Sequence, residues 1–321
     1  MTISSSARSA LEVPLANGAA PVAALEAVTL NRPANRGRTV LRVAVHNVYK
    51  GGNLEAMCTF LSRGRLAQAG LIMLCEVDWD MRRSSGLRLA PALAERLGMS
   101  FAYFPEYAIR TGPKDFRGVG NAILSAEPLT DVRVVPLPNL RLKYNPQKLP
   151  GGKSALAATT QVGGKAITFA VAHLHRRLDP AGRAIQMERL LSELPRGVAT
   201  IVGGDLNTTT LDGNGRWALW RAVAPMILTP WRFRRPERHE PLFERMRVHG
   251  FDFEASNATR KPTHTIEQLI PPLWRPKLDW IAARGIRAVP GSAAVIAPRT
   301  SLFARRSSDH DLIVCDFSPP D

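Results

Sequence analysis

The sequence is poor in cysteine, in long apolar runs and in negative charge, and each shortage removes a class of protein. Only three of its 321 residues are cysteine, Cys58, Cys75 and Cys315. They are odd in number, widely spaced and flanked by apolar neighbours such as Leu74 and Val314. No CxxC pair supports a zinc site and no even set supports a disulfide framework. The thiols therefore read as buried, and a reducing, cytoplasmic compartment is expected. No window approaches the ~18 apolar residues of a membrane span. The amino-terminal stretch has a lone Arg8 and an Ala-rich run broken by Glu12, Pro14, Asn17, Gly18 and Pro21. An export signal has a continuous apolar centre, and this stretch does not. No internal repeat is visible, and nothing points to a protein partner.

Acidic residues number 27 against 43 basic ones, a net charge of +16. Such an excess speaks to partners and solubility rather than to fold. Only eight of the basic residues are lysine, so arginine dominates. Its planar fork of donors matches phosphate oxygens, which suits a phosphate-rich partner, although genomic base composition yields the same bias. The hydrophobic fraction of 45% with 22% charged residues is that of a globular chain, long enough for one large domain or two average ones.

Residues 1–38 are rich in Ala, Ser and Pro, lack a sustained period and end in the turn-prone Asn31–Gly37; they read as a flexible tail. From residue 39, short apolar runs alternate with amphipathic stretches. Strands are expected at Val40–Val45, Leu71–Cys75, Phe101–Phe104, Val119–Leu124 and Ala199–Val202, and later at Leu278–Ala282, Ala293–Ile296 and Leu312–Phe317. Helices are expected at Leu54–Gln68 behind an Asn53 cap, at Leu89–Leu97, and at Pro180–Leu194 before Pro195. Ala155–Val162 and Ala166–Ala172 flank Gly163-Gly164, a hairpin signal. Residues 137–154 read as a loop. Alternating strands and helices with a hairpin indicate an α/β layered fold with a mixed sheet.

Polar residues fall repeatedly at the ends of these apolar runs: Asn47, Glu76, His173, Asp205 and Asp279, with Asp309-His310 before the last strand. Strand ends of open sheets are where sites assemble. One such residue is weak evidence; five in one chain, plus the acid–imidazole pair, are hard to obtain by accident. The ordered set His46-Asn47-Val48, Leu74-Cys75-Glu76-Val77, Gly120-Asn121-Ala122-Ile123-Leu124-Ser125, Ala172-His173-Leu174, Gly203-Gly204-Asp205-Leu206-Asn207, Lys277-Leu278-Asp279-Trp280-Ile281 and Ser308-Asp309-His310-Asp311 resembles the endonuclease/exonuclease/phosphatase superfamily. That superfamily includes deoxyribonuclease-like and apurinic-endonuclease-like enzymes, neutral sphingomyelinases and inositol-polyphosphate phosphatases.

The resemblance implies a four-layer α/β sandwich of two packed mixed β-sheets with helices outside, and a single catalytic domain over residues 39–321. It implies divalent-metal-dependent phosphodiester hydrolysis, most readily of DNA or RNA. A phosphatase or a sphingomyelinase-type phospholipase C is the alternative within the same superfamily. Glu76, Asp309 and the Asn47 amide are hard oxygen ligands suited to Mg²⁺ or Mn²⁺. His310 is the leading base for the attacking water, with Asp279 fixing its tautomer. By resemblance Asp205 positions or activates water, which leaves either it or His310 to take the proton; Asn207 donates to phosphate oxygen or helps hold the metal, and His173 binds the phosphate and protonates the leaving oxygen. Glu106 is a weak candidate for orienting His173, with a surface glutamate the reading that sequence favours, and Asn121 reads as turn support.

Other features carry less weight. His175 beside Arg176 and Arg177 reads as a loop histidine, and His264 in Pro262-Thr263-His264-Thr265 as a loop element near the site. Gly151-Gly152-Lys153-Ser154 fails as a phosphate-binding P-loop because Gln147 stands where that motif needs its first glycine. Asn207-Thr208-Thr209 and Asn257-Ala258-Thr259 match a glycosylation pattern that matters only in a secreted chain. Two basic segments suit a nucleic-acid strand: Arg141, Lys143, Lys148 and Lys153, and Arg232, Arg234, Arg235, Arg238, Arg245 and Arg247 around Trp231 and Phe233. Glu237, Glu240 and Glu244 lie among the second set, which also fits a solvated Arg/Glu helix.

Overall fold

The structure, a computed structural model, describes residues 25–33, 40–112, 115–140, 149–211, 228–233, 235–258, 261–265, 275–301 and 304–318. In chain order the elements are β1 (Val28–Leu30), β2 (Leu41–Lys50), α1 (Leu54–Leu61), β3 (Leu71–Met81), β4 (Leu87–Arg88), α2 (Leu89–Leu97), β5 (Ser100–Arg110), β6 (Phe116–Ser125), β7 (Thr130–Pro136), β8 (Ser154–Val162) and β9 (Lys165–Ala172). There follow α3 (Pro180–Glu193), β10 (Ala199–Asp205), α4 (Leu242–Val248), β11 (Asp279–Arg284), β12 (Ala294–Ile296) and β13 (Leu312–Phe317).

The strands form two sheets. The larger runs β1-β5-β6-β3-β2-β13-β12, with β4 paired to β3; the smaller runs β11-β10-β9-β8-β7. Each is mixed, with one parallel pair: β2 with β3, and β10 with β9. Strict alternation of side chains then builds three apolar layers. Val43 and Val45 of β2, Met73 of β3, Phe169 and Val171 of β9 and Ile281 of β11 face one another between the sheets. Their neighbours point outward: Ile72 and Leu74 pack under α1 and α2, while Ala170, Val202 and Trp280 pack under α3 and α4. Helix, sheet, sheet, helix is the expected four-layer α/β sandwich. Because both faces of the central strands are covered, they read as unbroken apolar runs in the sequence.

Local chemistry fixes the element ends. The Asn53 side chain accepts from the Ala56 N–H at 2.9 Å, capping α1 as expected. Asp179 caps α3 by accepting from Gly182 N–H at 2.7 Å, with Pro180 in its first turn. The expected helix to Gln68 stops at Leu61 instead, because Arg63 is extended and Gly64 is left-handed; a separate 3₁₀ turn covers Gly64–Gln68. Gly163 and Gly164, both at positive φ, close the expected β8–β9 hairpin.

The tail expectation needs correction. Residues 1–24 and 34–39 lie outside the described residues, but Val28–Leu30 pairs antiparallel with Phe101–Tyr103 as an edge strand. Asn31 clamps it by exchanging two hydrogen bonds with the Leu129 backbone, at 2.9 and 2.8 Å. Three residues are too few for a period to show, so the sequence hides this strand. Strands β4 and β7 and helix α4 were likewise not expected. Among the described residues no helix is long and apolar enough to cross a membrane.

Candidate hydrolase centre

Three strands of the larger sheet, the adjacent β2 and β3 and, across β6, β5, are interrupted at the same level. Asn47 pairs with Cys75 but Lys50 with Val77, so β2 carries one extra residue. Leu74 pairs with Ala122 but Val77 with Gly120, so β3 carries one as well. Pro105 pairs with Gly120 but Tyr107 with Val119, which leaves Glu106 as the extra residue of β5. Bulges re-aim side chains beside active sites. These three present Asn47, Glu76 and Glu106, and Glu76 lies at φ +55°, uncommon for a non-glycine residue. Asn47 and Glu76 are therefore not loop residues beyond their strands, as expected from sequence, but sit inside them at bulges.

The smaller sheet delivers His173 and Asp205 from the C-terminal ends of its parallel pair and Asp279 from the start of β11, while Asp309 and His310 precede β13 of the larger sheet. Asp205 is the last residue of β10, His173 follows β9, and Asp279 opens β11 opposite Asp205. The Gly203-Gly204 pair makes this possible. A Cβ on Gly203 would lie 2.7 Å from Met73 and Val45 of the facing sheet, and one on Gly204, at φ +145°, would lie 1.9 Å from the Ala172 carbonyl oxygen.

Asp205 is the hub. Its Oδ2 accepts from Asn47 Nδ2 at 2.9 Å, with His173 Nε2 at 3.6 Å and His310 Nε2 at 3.7 Å. Asn47 Nδ2 also faces Glu76 Oε1 at 3.3 Å, while its Oδ1 accepts from the Tyr49 N–H at 3.0 Å. The amide oxygen expected to bind metal is thus turned to the backbone, and Asn47 acts as a strut between two carboxylates. Asp279 Oδ2 and His310 Nδ1 are 2.8 Å apart, the expected orienting pair. Asn207, at φ +49°, donates its N–H to Asp205 Oδ1 at 3.0 Å and its amide to Leu174 O at 2.9 Å, leaving one amide hydrogen for a ligand.

Two hydroxyls to which no role was assigned from sequence, Thr263 and Ser308, lock the pair. The Thr263 hydroxyl accepts from the Leu278 and Asp279 N–H groups at 2.9 and 3.0 Å. The Ser308 hydroxyl donates to Asn47 O at 2.7 Å and accepts from His310 N–H at 3.0 Å. His264, expected only as a nearby loop element, packs its ring 4.6 Å from that of His310. Glu106 is buried, bound by Lys153 Nζ at 2.9 Å and Asn121 Nδ2 at 3.2 Å, with His173 Nδ1 3.9 Å from its Oε2. It is not the surface glutamate that sequence alone favoured. Glycine-rich Pro150–Gly152 delivers Lys153: Gly152 N–H bonds Glu106 O at 2.9 Å, and a Cβ on Gly151 would strike that same oxygen.

Electrostatics separate the roles. Burial alone would lower the His310 imidazole, but the Asp279 and Asp205 charges and the Asp279 bond outweigh it and hold it at about 10. Burial raises the Asp205 carboxyl, against the pull of His310⁺, to about 7. Burial, reinforced by the Lys153 and His310 charges, pushes His173 well below its ordinary value, so it stays neutral. Burial raises Asp309; His310 opposes that rise and the Glu76 charge adds to it.

Among the described residues, two groups of ligand-competent atoms gather within 4.8 Å, Asp205 with Asp279 and His310, and His264 with Asp309 and His310. A ligating imidazole must be neutral, so a protonated His310 held by Asp279 fits a proton relay better than a metal ligand. The Glu76 and Asp309 oxygens fit a hard divalent cation, which would relieve their mutual repulsion and retain several waters.

A buried carboxylate–imidazole pair, a second carboxylate poised near neutrality and a neutral histidine, gathered around Asp205, define a hydrolase centre. The chain belongs to the Endonuclease/Exonuclease/phosphatase family, whose sequence profile matches residues 44–310. No curated protein matches the sequence. Among solved structures it resembles an endonuclease/exonuclease/phosphatase from Beutenbergia cavernae at 18% identity and TM-score 0.59, over 88% of this chain and 72% of that one. It also resembles D. rerio TDP2 complexed with a single-strand DNA product, at 16% identity and TM-score 0.54, over 88% and 100%. The human Nocturnin catalytic domain with bound sulfate gives 19% and 0.50, over 92% and 97%.

Proposed function

We propose that this hydrolase is a divalent-metal-dependent phosphodiesterase acting on nucleic acid. The observation that carries the reading is the convergence of Asn47, His173, Asn207 and His310 on one buried carboxylate, Asp205. A divalent cation held by Glu76 and Asp309 supplies Lewis-acid polarisation of a phosphoryl oxygen when bound. The protein's own groups do the rest. Asp205, with its pKa raised to about 7, is matched to accept the proton of the attacking water. His310, the leading of the two sequence candidates for the base, is already protonated in this arrangement, so it donates to phosphoryl oxygen and offsets charge that builds on the phosphorus centre. Asp279 holds its ring. His173, neutral, hydrogen-bonds the phosphate or the leaving oxygen, and the remaining amide hydrogen of Asn207 binds a phosphate oxygen.

The net charge of +16 supports a polyanionic substrate, as does the single-strand DNA product held by the similar TDP2. Of the basic segments, Arg141, Lys143, Lys148 and Arg234 lie outside the described residues. Lys153 is spent on Glu106, and Arg245 and Arg247 pair with Glu188, Glu244 and Glu254. Trp231 is exposed and free to stack.

Cleavage of plasmid and of single-stranded oligonucleotides should occur with Mg²⁺ or Mn²⁺ and stop in EDTA. Release of phosphate or phosphocholine from inositol phosphates or sphingomyelin, with no cut in any nucleic acid, would transfer the assignment to the phosphatase or phospholipase reading.

A further inference from the structure

The end of β2 carries two residues that take no part in this proton and phosphate chemistry. Val48 O accepts from Gly51 N–H at 3.0 Å, closing a four-residue turn whose inner positions are Tyr49 and Lys50. Both have positive φ, +46° and +72°. Turns with both inner residues at positive φ select Asn, Asp and Gly, because in this region a Cβ crowds the neighbouring carbonyl. An aromatic and a lysine here carry a steric cost that glycine would avoid.

Packing does not offset that cost. Tyr49 is 50% exposed, and Lys50 Nζ stands 4.4 Å from the centroid of its ring. The turn is nevertheless locked to the hydrolase centre. Tyr49 N–H donates to Asn47 Oδ1, and Lys50 re-enters register opposite Val77, the residue after Glu76. Strained, exposed and fixed beside reacting groups is the signature of a backbone conformation kept for a ligand.

We propose that the Tyr49–Lys50 turn is a nucleotide platform: the tyrosine ring stacks an unpaired base flanking the scissile phosphate, and the lysine meets the adjoining backbone phosphate. The inference rests on the nucleic-acid reading above and deepens it to single-stranded substrate, since a base must leave its duplex partner to stack on a side chain. A lipid surface is the poorer fit. Membrane docking needs contiguous apolar area, whereas among the described residues the other exposed large apolar residues are spread over separate elements, such as Leu30 on β1, Ile109 on β5, Ile185 on α3 and Val248 on α4.

Tyr49→Gly separates the two possible purposes of the turn. Glycine accepts positive φ without strain, so this variant folds with a melting temperature equal to or above that of the wild type. Its affinity for a fluorescein-labelled oligothymidylate, measured by anisotropy in EDTA so that no turnover intervenes, should fall about tenfold. Tyr49→Phe should bind within about twofold of wild type, because the ring alone stacks. Unchanged oligonucleotide affinity in Tyr49→Gly overturns the platform, even if the wild type is an active nuclease. Tyr49-dependent binding by a protein that cuts no nucleic acid keeps the platform and removes the nuclease reading. Wild-type protein that ignores the oligonucleotide but binds anionic phosphatidylserine vesicles through Tyr49 overturns it in favour of a membrane.

Discussion

Replacing His310 with glutamine lowers kcat by about 10²–10⁴-fold, the range typical of a removed acid–base group. Glutamine is the informative substitution because its amide can still donate to Asp279, which is wholly buried. Alanine would strand that carboxylate and confuse lost chemistry with lost stability. The same variant has a thermal signature in metal-free protein. Folded His310 titrates at about 10 against an ordinary 6.5, so its stabilising contribution is complete below about pH 6.5 and is lost as pH rises through about 10. Asp205 acts in the same sense at lower pH. Its folded value of about 7 against an ordinary 3.8 makes ionisation oppose folding, and that penalty builds as pH rises from about 4 to 7. The melting temperature in EDTA should therefore decline from mildly acidic pH towards pH 10, and His310→Gln should flatten the upper part of the decline. Turnover within tenfold of wild type, from a folded His310→Gln protein, contradicts the role given to the imidazole.

Arg183→Met should cost about 3–5 kcal/mol of stability, the scale for breaking a buried ion pair by removing one partner. Arg183 and Glu240 are fully buried, joined by two bonds at 2.6 and 3.1 Å. The guanidinium also binds the Leu178 and Leu211 carbonyls, and Glu240 accepts from Thr210 N–H at 2.7 Å. This one pair fastens α3 to the chain that leaves Asp205 and Asn207 and to the start of α4. Glu240 is thus not part of a solvated Arg/Glu helix, as its neighbours in sequence suggested. Methionine preserves much of the volume but leaves Glu240 buried without its counter-ion. Urea unfolding measures the loss. A double variant, Arg183→Met with Glu240→Leu, should recover a large part, because removing both charges ends the uncompensated burial. A single variant within 1 kcal/mol of wild type would show that the pair is dispensable.

The contrast between these two sites shows what a sequence exposes. Asp279, Asp205 and His310 were legible because each abuts an apolar run whose two faces are both covered. Strands β8 and β9 were legible because Gly163-Gly164 announces their turn. Bulges were not, since an extra residue in β3 or β5 exists only relative to the partner strand, and no local pattern records it. Glu106 therefore looked like surface, and Gly151-Gly152-Lys153 looked like a failed phosphate loop. Its glycines in fact let the chain close against β5 and bury an ammonium beside His173. Edge strand β1 escaped for a related reason: its three residues gain meaning only from pairing with β5.

Crystals soaked in Mn²⁺ test the central claim most directly, through the position of the anomalous peak. A peak held by Glu76 and Asp309, with Asp279 and His310 still paired behind it, is the result this arrangement requires. A peak seated instead among Asp205, Asp279 and His310 with the imidazole displaced, or none near Glu76 at saturating Mn²⁺, would contradict it.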